Sequence, residues 1–230
     1  MPCVHHFENT AYAILVWEIT ETDKALQDLL HASSALHVEL DAIKSDKRRL
    51  ERLATYCLLQ YRYATHLAIQ YDAYGKPLLS NGDHLSISHS GAFVGVMLSK
   101  TDSVALDIEQ LDPNAVVGSG RIFKVSKKFI NDAEMTFVAP HDLVAQEFLQ
   151  TVIWSSKEVL FKMYSKGGLD FKKHMHVSAF KPVLSGFLNA ALIKDDYSAT
   201  YKLGFEDHGR WLMVFASAAD QVVSTSTMHA

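Results

Sequence analysis

Two long segments with the apolar spacing of an amphipathic helix dominate this sequence, and each is followed by a turn and several short strand-like segments. In residues 45–65, apolar side chains recur three and four positions apart, and charged side chains occupy the opposite face. Residues 143–164 are also apolar-periodic and end shortly before Gly167 and Gly168. Such a helix buries its apolar face against another element. The sequence therefore predicts an α+β fold of two similar subdomains, each a long helix packed on a small antiparallel sheet.

The boundary between the two predicted subdomains lies in a linker-like segment. Pro113, Gly118 and Gly120 follow the last predicted strand of the first half, and such residues are common where few contacts cross. We therefore expect subdomains at 1–112 and 113–230, related by pseudo-twofold symmetry. Local patterns predict strands at 11–19, 85–88, 93–98, 104–109, 174–180, 184–193, 198–205 and 211–216, and further helices at 23–30 and 126–135.

The composition is that of a soluble globular protein and excludes several classes. The 230 residues are 48% hydrophobic and 21% charged, and the formal net charge of −4 argues against nucleic acid as the main partner. Two cysteines, Cys3 and Cys57, cannot form a disulfide framework or a Cys-rich metal site. We recognise no signal peptide in residues 1–9 and no apolar run long enough to span a bilayer. A cytoplasmic protein without membrane association is therefore expected.

The sharpest chemical signal is a pair of carboxylates in the predicted strand 104–109. Asp107 and Glu109 are two positions apart, so on a strand they point to the same face. Two neighbouring carboxylates repel each other, and a hard cation such as Mg²⁺ between them removes that repulsion. The alternative is a strand end that faces solvent, where this spacing is common. The pair alone does not decide between these interpretations.

Charged side chains near the end of the second long helix form another candidate. Glu158 and Lys162 are four positions apart, in the order that favours an ion pair on a helix surface. A surface ion pair is the simpler interpretation of these two residues alone. The functional interpretation makes Glu158 a third carboxylate at a metal ion and Lys162 a phosphate ligand.

Two turns have the composition of a phosphate site. Residues 86–91 combine hydroxyls, an imidazole and backbone N–H groups at the end of a strand, although a polar turn with capping serines explains them equally well. Lys76, in a Gly-Lys-Pro turn, could supply a point charge. Ser88 and His89 do not form a nucleophile and its base, because neighbours on a strand point to opposite faces and no G-x-S-x-G elbow is present.

Taken in order, these segments resemble the larger, pseudodimeric type of 4′-phosphopantetheinyl transferase, which serves polyketide, peptide and fatty-acid synthases. The resemblance covers roughly residues 45–170. Its motifs are Gly75-Lys76-Pro77, Ile87-Ser88-His89-Ser90, Asp107-Ile108-Glu109 and Trp154-x-x-Lys157-Glu158-x-x-x-Lys162. Each motif is weak alone, and the ordered set is specific.

The resemblance implies a reaction and assigns roles in it. Enzymes of this family transfer the 4′-phosphopantetheine arm of coenzyme A to a serine of an apo acyl or peptidyl carrier protein, with Mg²⁺, and release 3′,5′-ADP. The implied metal ligands are Asp107, Glu109 and Glu158. The implied coenzyme A contacts are Arg48 or Arg49, Lys76, Pro77, Ser88, His89 and Lys162, with Lys157 in support. Glu158 would be the base for the carrier serine, and Lys162 would assist the departing 3′,5′-ADP.

The implied partner is a carrier protein with an acidic helix, and other function classes stay open. Basic residues after the acidic strand could meet that helix, although a solvated basic face is the more common explanation: Arg121, Lys124, Lys127 and Lys128. Because both halves lie in one chain, we expect a monomer. One alternative is a non-catalytic module that binds coenzyme A or a carrier protein. The other is a different Mg²⁺-dependent phosphoryl enzyme, such as a nucleotide phosphatase, which would need no carrier.

Overall fold

The computed structural model describes residues 3–30, 39–65, 67–112, 114 and 116–222. The chain divides into two compact units, Met1–Gln110 and Leu111–Ala230. Both units combine helices with antiparallel strands, so the fold belongs to the α+β class. The predicted boundary, between residues 112 and 113, lies two residues beyond the division, and Pro113 itself is outside the described residues.

Within the described residues, the first unit contains a six-stranded antiparallel sheet, one further strand and α-helices. In chain order the elements are β1 (Cys3–Glu8), β2 (Ala13–Glu18), α1 (Asp23–Leu29), α2 (Asp46–Tyr63), β3 (Ile69–Tyr71), β4 (Pro77–Leu79), β5 (His84–Ser90), β6 (Phe93–Ser99) and β7 (Val104–Gln110). The sheet has the strand order β1-β2-β6-β5-β4-β3. Strand β7 packs beside β5 and β6. The predictions did not include β1, β3 and β4.

Helix α2 forms where the periodicity predicts it. Its first turn is capped by Ser45, whose Oγ accepts a hydrogen bond from Arg48 N at 3.4 Å. It ends at Ala64, which has a left-handed backbone (φ 53°). Its apolar face packs on β2, β5 and β6 in a core that includes Leu53 and Cys57. Burial raises the pKa of the Cys57 thiol to about 12, as expected for an inert core cysteine.

The second unit begins with helices and ends with strands. Its elements are α3 (Arg121–Val125), a 3₁₀ turn (Ser126–Lys128), α4 (Asp132–Val138), α5 (Leu143–Tyr164), α6 (Phe171–His174), β8 (Met175–Val177), β9 (Ser185–Lys194), β10 (Tyr197–Asp207), β11 (Trp211–Ser217), a second 3₁₀ turn (Ala218–Asp220) and β12 (Gln221–Val222). Four of its strands follow the order β11-β10-β9-β8, and β12 pairs with β10.

Helix α5 has the predicted bounds, but the helix predicted at 126–135 was wrong in its extent. Asn131 interrupts that segment, because its side chain accepts a hydrogen bond from Glu134 N while the Glu134 carboxylate accepts one from Asn131 N. This reciprocal capping box starts a new helix, α4, so the segment does not form one continuous helix.

None of the described helices combines the length and the apolar character that crossing a bilayer requires.

Candidate functional site

Alternate serines of β5 hold β7 in place. Ser86, Ser88 and Ser90 are two positions apart and therefore point to one face of the strand. Leu106 N donates a hydrogen bond to Ser86 Oγ at 3.0 Å, and Ile108 N donates one to Ser88 Oγ at 3.0 Å. These bonds satisfy backbone N–H groups of β7 with side-chain hydroxyls, so the serines fix the position of β7 along β5.

The same serines orient the two carboxylates of β7. Ser88 Oγ donates a hydrogen bond to Asp107 Oδ1 at 3.1 Å, and Ser90 Oγ donates one to Glu109 Oε2 at 2.9 Å. The two carboxylates thus lie along one face of β7, as their spacing predicts. Asp107 is only 6% exposed, and Glu109 is half-buried. Carboxylate oxygens anchored by hydroxyl donors are suitable ligands for a hard cation such as Mg²⁺.

Gly95 allows β7 to approach β6 closely. The sequence patterns did not point to this glycine. It lies on β6 opposite Ser88. A Cβ at this position would collide with Ile108 Cδ1 and come within 3.0 Å of Leu106 Cδ2. A glycine inside a buried strand is the signal that could have identified it, because such a residue often marks a close backbone approach.

His89 points to the opposite face from Ser88, toward helix α2. Its Nδ1 lies 3.3 Å from Oε1 of Glu51, a buried residue of α2, and its side chain is 54% exposed. Ser88 Oγ instead donates a hydrogen bond to Asp107 Oδ1. The two neighbours therefore do not form a nucleophile and its base, in agreement with the prediction from strand geometry.

Lys76 lies in the turn that precedes β4 and is half-buried. Its Nζ donates a hydrogen bond to Ser103 Oγ at 2.5 Å. Burial lowers the pKa of Lys76, and the charge of Asp72 opposes this effect. Pro77, the next predicted coenzyme A contact, is the first residue of β4, where it pairs with Tyr71 of β3.

The structure distinguishes between the two arginines of α2 that the sequence left open. Arg49 Nε donates to Asp23 Oδ2 at 2.6 Å, and its Nη1 donates to the Leu40 carbonyl at 2.6 Å. The hydrogen bond with Asp23 raises the pKa of Arg49. Arg48 is exposed, and no bond of its guanidinium is recorded within the described part of the chain. The Arg49 guanidinium is therefore occupied within the first unit, whereas the Arg48 side chain is exposed.

Lys157, on α5 in the second unit, is buried and bonds only to acceptors of the protein that the structure describes. The residue is fully buried (0% exposed), and Nζ donates to the Phe129 carbonyl at 2.6 Å, to Glu134 Oε2 at 2.7 Å and to the Phe171 carbonyl at 3.0 Å. Burial lowers the pKa of Lys157, and the charge of Glu134 opposes this effect. All three N–H donors of the ammonium are satisfied by the protein. We therefore reassign Lys157 from the coenzyme A contacts to the structural core.

Glu158 and Lys162 lie on α5 at helical spacing and are both half-buried. Trp154, one turn earlier, packs against Phe129 with a ring-centroid distance of 5.2 Å and against Phe171 with a distance of 5.5 Å. The tryptophan of the motif is therefore a packing residue that fixes this stretch of α5. Glu158 and Lys162 belong to the second unit, whereas Ser88, Asp107 and Glu109 belong to the first.

Two histidines of the second unit have local contacts, and the basic side chains that follow β7 in the chain are exposed. His174 Nδ1 accepts a hydrogen bond from Asp170 N at 2.9 Å, and His176 Nδ1 lies 3.4 Å from Asn131 Nδ2. The basic residues of α3 and the following 3₁₀ turn are all exposed: Arg121, Lys124, Lys127 and Lys128. The guanidinium of Arg121 lies 5.7 Å from the centroid of the Trp154 ring.

No protein-family model matches this chain, and comparison with the curated proteins finds no match.

Proposed function

We propose that this protein is a 4′-phosphopantetheinyl transferase, which moves the phosphopantetheine arm of coenzyme A to a serine of an apo carrier protein with the help of Mg²⁺. The observation that carries the proposal is the pair of serine-anchored carboxylates. Ser88 and Ser90 belong to one motif of the family, and Asp107 and Glu109 belong to the next, and each serine donates to one carboxylate. Two motifs that are each weak in sequence are therefore joined by hydrogen bonds in the fold.

The donor set fits a magnesium ion. Asp107 and Glu109 offer carboxylate oxygen ligands on one face of β7, and a serine hydroxyl orients each carboxylate. In the proposal Glu158 is the third carboxylate. Mg²⁺, when bound, neutralises charge on the pyrophosphate of coenzyme A.

The geometry within each unit changes the proposed set of coenzyme A contacts. Lys76 and Arg48 remain as cationic contacts in the first unit, and Lys162 remains as the lysine of the second unit. Pro77 and the imidazole of His89 also remain as proposed contacts. Arg49 and Lys157 leave the set because their donors bind within the protein. Ser88 moves from the coenzyme A contacts to the support of Asp107.

The proposed chemistry needs positioning and charge neutralisation rather than a covalent intermediate. The Oγ atom of the carrier serine attacks the β-phosphorus of coenzyme A, and the bond from that phosphorus to the bridging oxygen breaks. Glu158 accepts the serine proton, directly or through a water molecule. Lys162 neutralises the charge that develops on the leaving 3′,5′-ADP.

The proposal includes an architecture and a cellular setting. Each unit pairs one long helix, α2 or α5, with an antiparallel sheet, which supports a pseudo-twofold relation between them. A chain that carries both units is proposed to act as a monomer in the cytoplasm. The exposed basic side chains of α3 and the 3₁₀ turn are the proposed contacts for an acidic carrier helix.

The test is the intact mass of apo carrier proteins after incubation with this protein, Mg²⁺ and coenzyme A. We expect a gain of about 340 Da, the mass of one phosphopantetheine group, and we expect Asp107→Ala to abolish it. Carrier proteins from fatty-acid, polyketide and peptide synthases should each be offered.

Other outcomes would favour the other function classes. Binding of coenzyme A without transfer to any carrier would favour a non-catalytic module. Release of phosphate from nucleotides in the absence of a carrier would favour a phosphatase. Absence of both transfer and coenzyme A binding would refute the proposal.

A further inference from the structure

A buried carboxylate on α2 lies beside the exposed histidine of the Ser-His-Ser motif. The Glu51 side chain is 8% exposed, and its Oε1 lies 3.3 Å from His89 Nδ1 and 3.7 Å from Lys47 Nζ. Among the described residues, no donor forms a hydrogen bond of good geometry with this oxygen. A carboxylate oxygen that is removed from water requires a donor, and the imidazole nitrogen is the nearer of its two neighbours.

We propose that Glu51 is a positioning residue, which holds Nδ1 of His89 so that Nε2 faces a phosphate group of coenzyme A. This inference rests on the proposed function. A carboxylate at one ring nitrogen fixes the orientation of the ring and therefore the direction of the other nitrogen. Because the His89 side chain is 54% exposed, a ligand can reach it. When Nδ1 donates to Glu51 and Nε2 donates to a phosphate oxygen, the ring is an imidazolium, and its charge strengthens the second bond.

The surroundings of His89 leave Glu51 as its closest charged neighbour among the residues that the structure describes. Strands β4 and β6, on either side of β5, carry no charged residue. The carboxylates of β7 bond to serines on the opposite face of β5. On α2, Lys47 contacts the same carboxylate oxygen, and Arg52 pairs with Glu39 at 3.4 Å.

Calorimetric titration of the full chain with coenzyme A tests this arrangement without requiring transfer. Glu51→Ala should raise the Kd for coenzyme A about tenfold, the loss typical of a charge-assisted hydrogen bond. His89→Ala should raise it by a similar factor. The double variant should be no worse than His89→Ala alone, because both changes remove the same contact.

Two further variants separate this effect from a general disturbance of α2. Glu51→Gln keeps the shape and one acceptor oxygen, so its Kd should lie between those of the wild-type protein and Glu51→Ala. It also keeps the test valid if the alanine variant fails to fold. Glu39→Gln is the matched control, because Glu39 pairs with Arg52 and accepts a hydrogen bond from Tyr56, a residue of the same helix. Its Kd should stay within about twofold of the wild-type value.

A spectroscopic signature in the ligand-free protein separates the role of Glu51 from the proposed function. Nitrogen NMR of the imidazole should show a shift of the His89 Nδ1 resonance in Glu51→Ala and no such shift in Glu39→Gln. An unchanged resonance, or independent and additive increases in Kd, would overturn the role of Glu51 and leave the proposed function standing. Failure of the wild-type protein to bind coenzyme A would overturn the proposed function, and the role of Glu51 with it.

Discussion

At the residue scale, the hydroxyl of Ser88 connects backbone packing with the orientation of a carboxylate. It accepts from Ile108 N and donates to Asp107 Oδ1, so one buried atom serves both the strand and the candidate metal site. Ser86 makes the equivalent backbone bond, to Leu106 N. The two serines therefore form a natural comparison between a purely structural hydroxyl and one that also supports a carboxylate.

We expect Ser88→Ala to affect both stability and the magnesium requirement. Loss of the acceptor for a buried N–H should lower the free energy of unfolding by about 1–3 kcal/mol. Loss of the donor to Asp107 should raise the Mg²⁺ concentration needed for half-maximal transfer by about tenfold or more. Denaturant unfolding and a Mg²⁺ titration of the transfer rate measure these two effects.

The matched control is Ser86→Ala. It should lower stability by a similar amount and leave the Mg²⁺ titration unchanged. Equal Mg²⁺ titrations for the two variants would show that Ser88 does not support the metal site.

At the element scale, the position of β7 depends on the absence of a side chain at Gly95. Because Gly95 has no Cβ, the branched side chain of Ile108 can occupy that space, and β7 can lie close to β6. Close packing of this kind transmits any added volume to the neighbouring strand. The carboxylates that β7 carries would move with it.

Gly95→Ala should therefore lower the free energy of unfolding by about 1–3 kcal/mol, the usual result of overpacking a core. Adding Ile108→Val should recover part of the loss, since this change removes Cδ1, the atom that meets the new Cβ. Thermal or denaturant unfolding measures both variants. A double variant less stable than Gly95→Ala alone would contradict this explanation.

The buried ion pair of Lys157 and Glu134 connects helix α5 with α4, α6 and β8. The lysine donates to carbonyls before α4 and in α6, and the Glu134 carboxylate also accepts a hydrogen bond from Val177 N of β8 at 2.9 Å. A buried ion pair is stable when further hydrogen bonds satisfy both partners, as they do here. The pair thus fixes the helix that carries the next residue, Glu158.

Lys157→Met should lower the free energy of unfolding by about 3–5 kcal/mol, because it leaves the Glu134 carboxylate buried without its cation. The double variant with Glu134→Gln should recover part of this loss. Lys172→Met is the control: Lys172 lies 4.0 Å from Asp132 in an exposed pair, and its removal should change stability by less than about 0.5 kcal/mol. A small effect of Lys157→Met in denaturant unfolding would show that the pair is not needed for the fold.

At the scale of the whole molecule, one chain supplies two compact α+β units. Because one chain carries both units, the proposed function includes a monomer. We therefore expect sedimentation at micromolar concentration to give a single species near 25.7 kDa. A stable dimer would contradict this expectation.

Features set by residues near one another in the chain were predictable. Helix α5 has the predicted bounds because apolar periodicity and the Asp142 cap act within a few residues. The shared face of Asp107 and Glu109 follows from strand geometry alone. Strands β3 and β4 were not predicted, since each has three residues and too little pattern to recognise.

Tertiary structure decided which of the candidate side chains remain available to a ligand. Arg49 binds Asp23, 26 positions away, and Lys157 binds Glu134, 23 positions away, whereas Ser88 reaches Asp107 across 19 positions. The sequence by itself determined the α+β class, the long helices and the residue types of the candidate site. It could not show which charges are already paired, because pairing depends on contacts between distant segments that form only when the core packs.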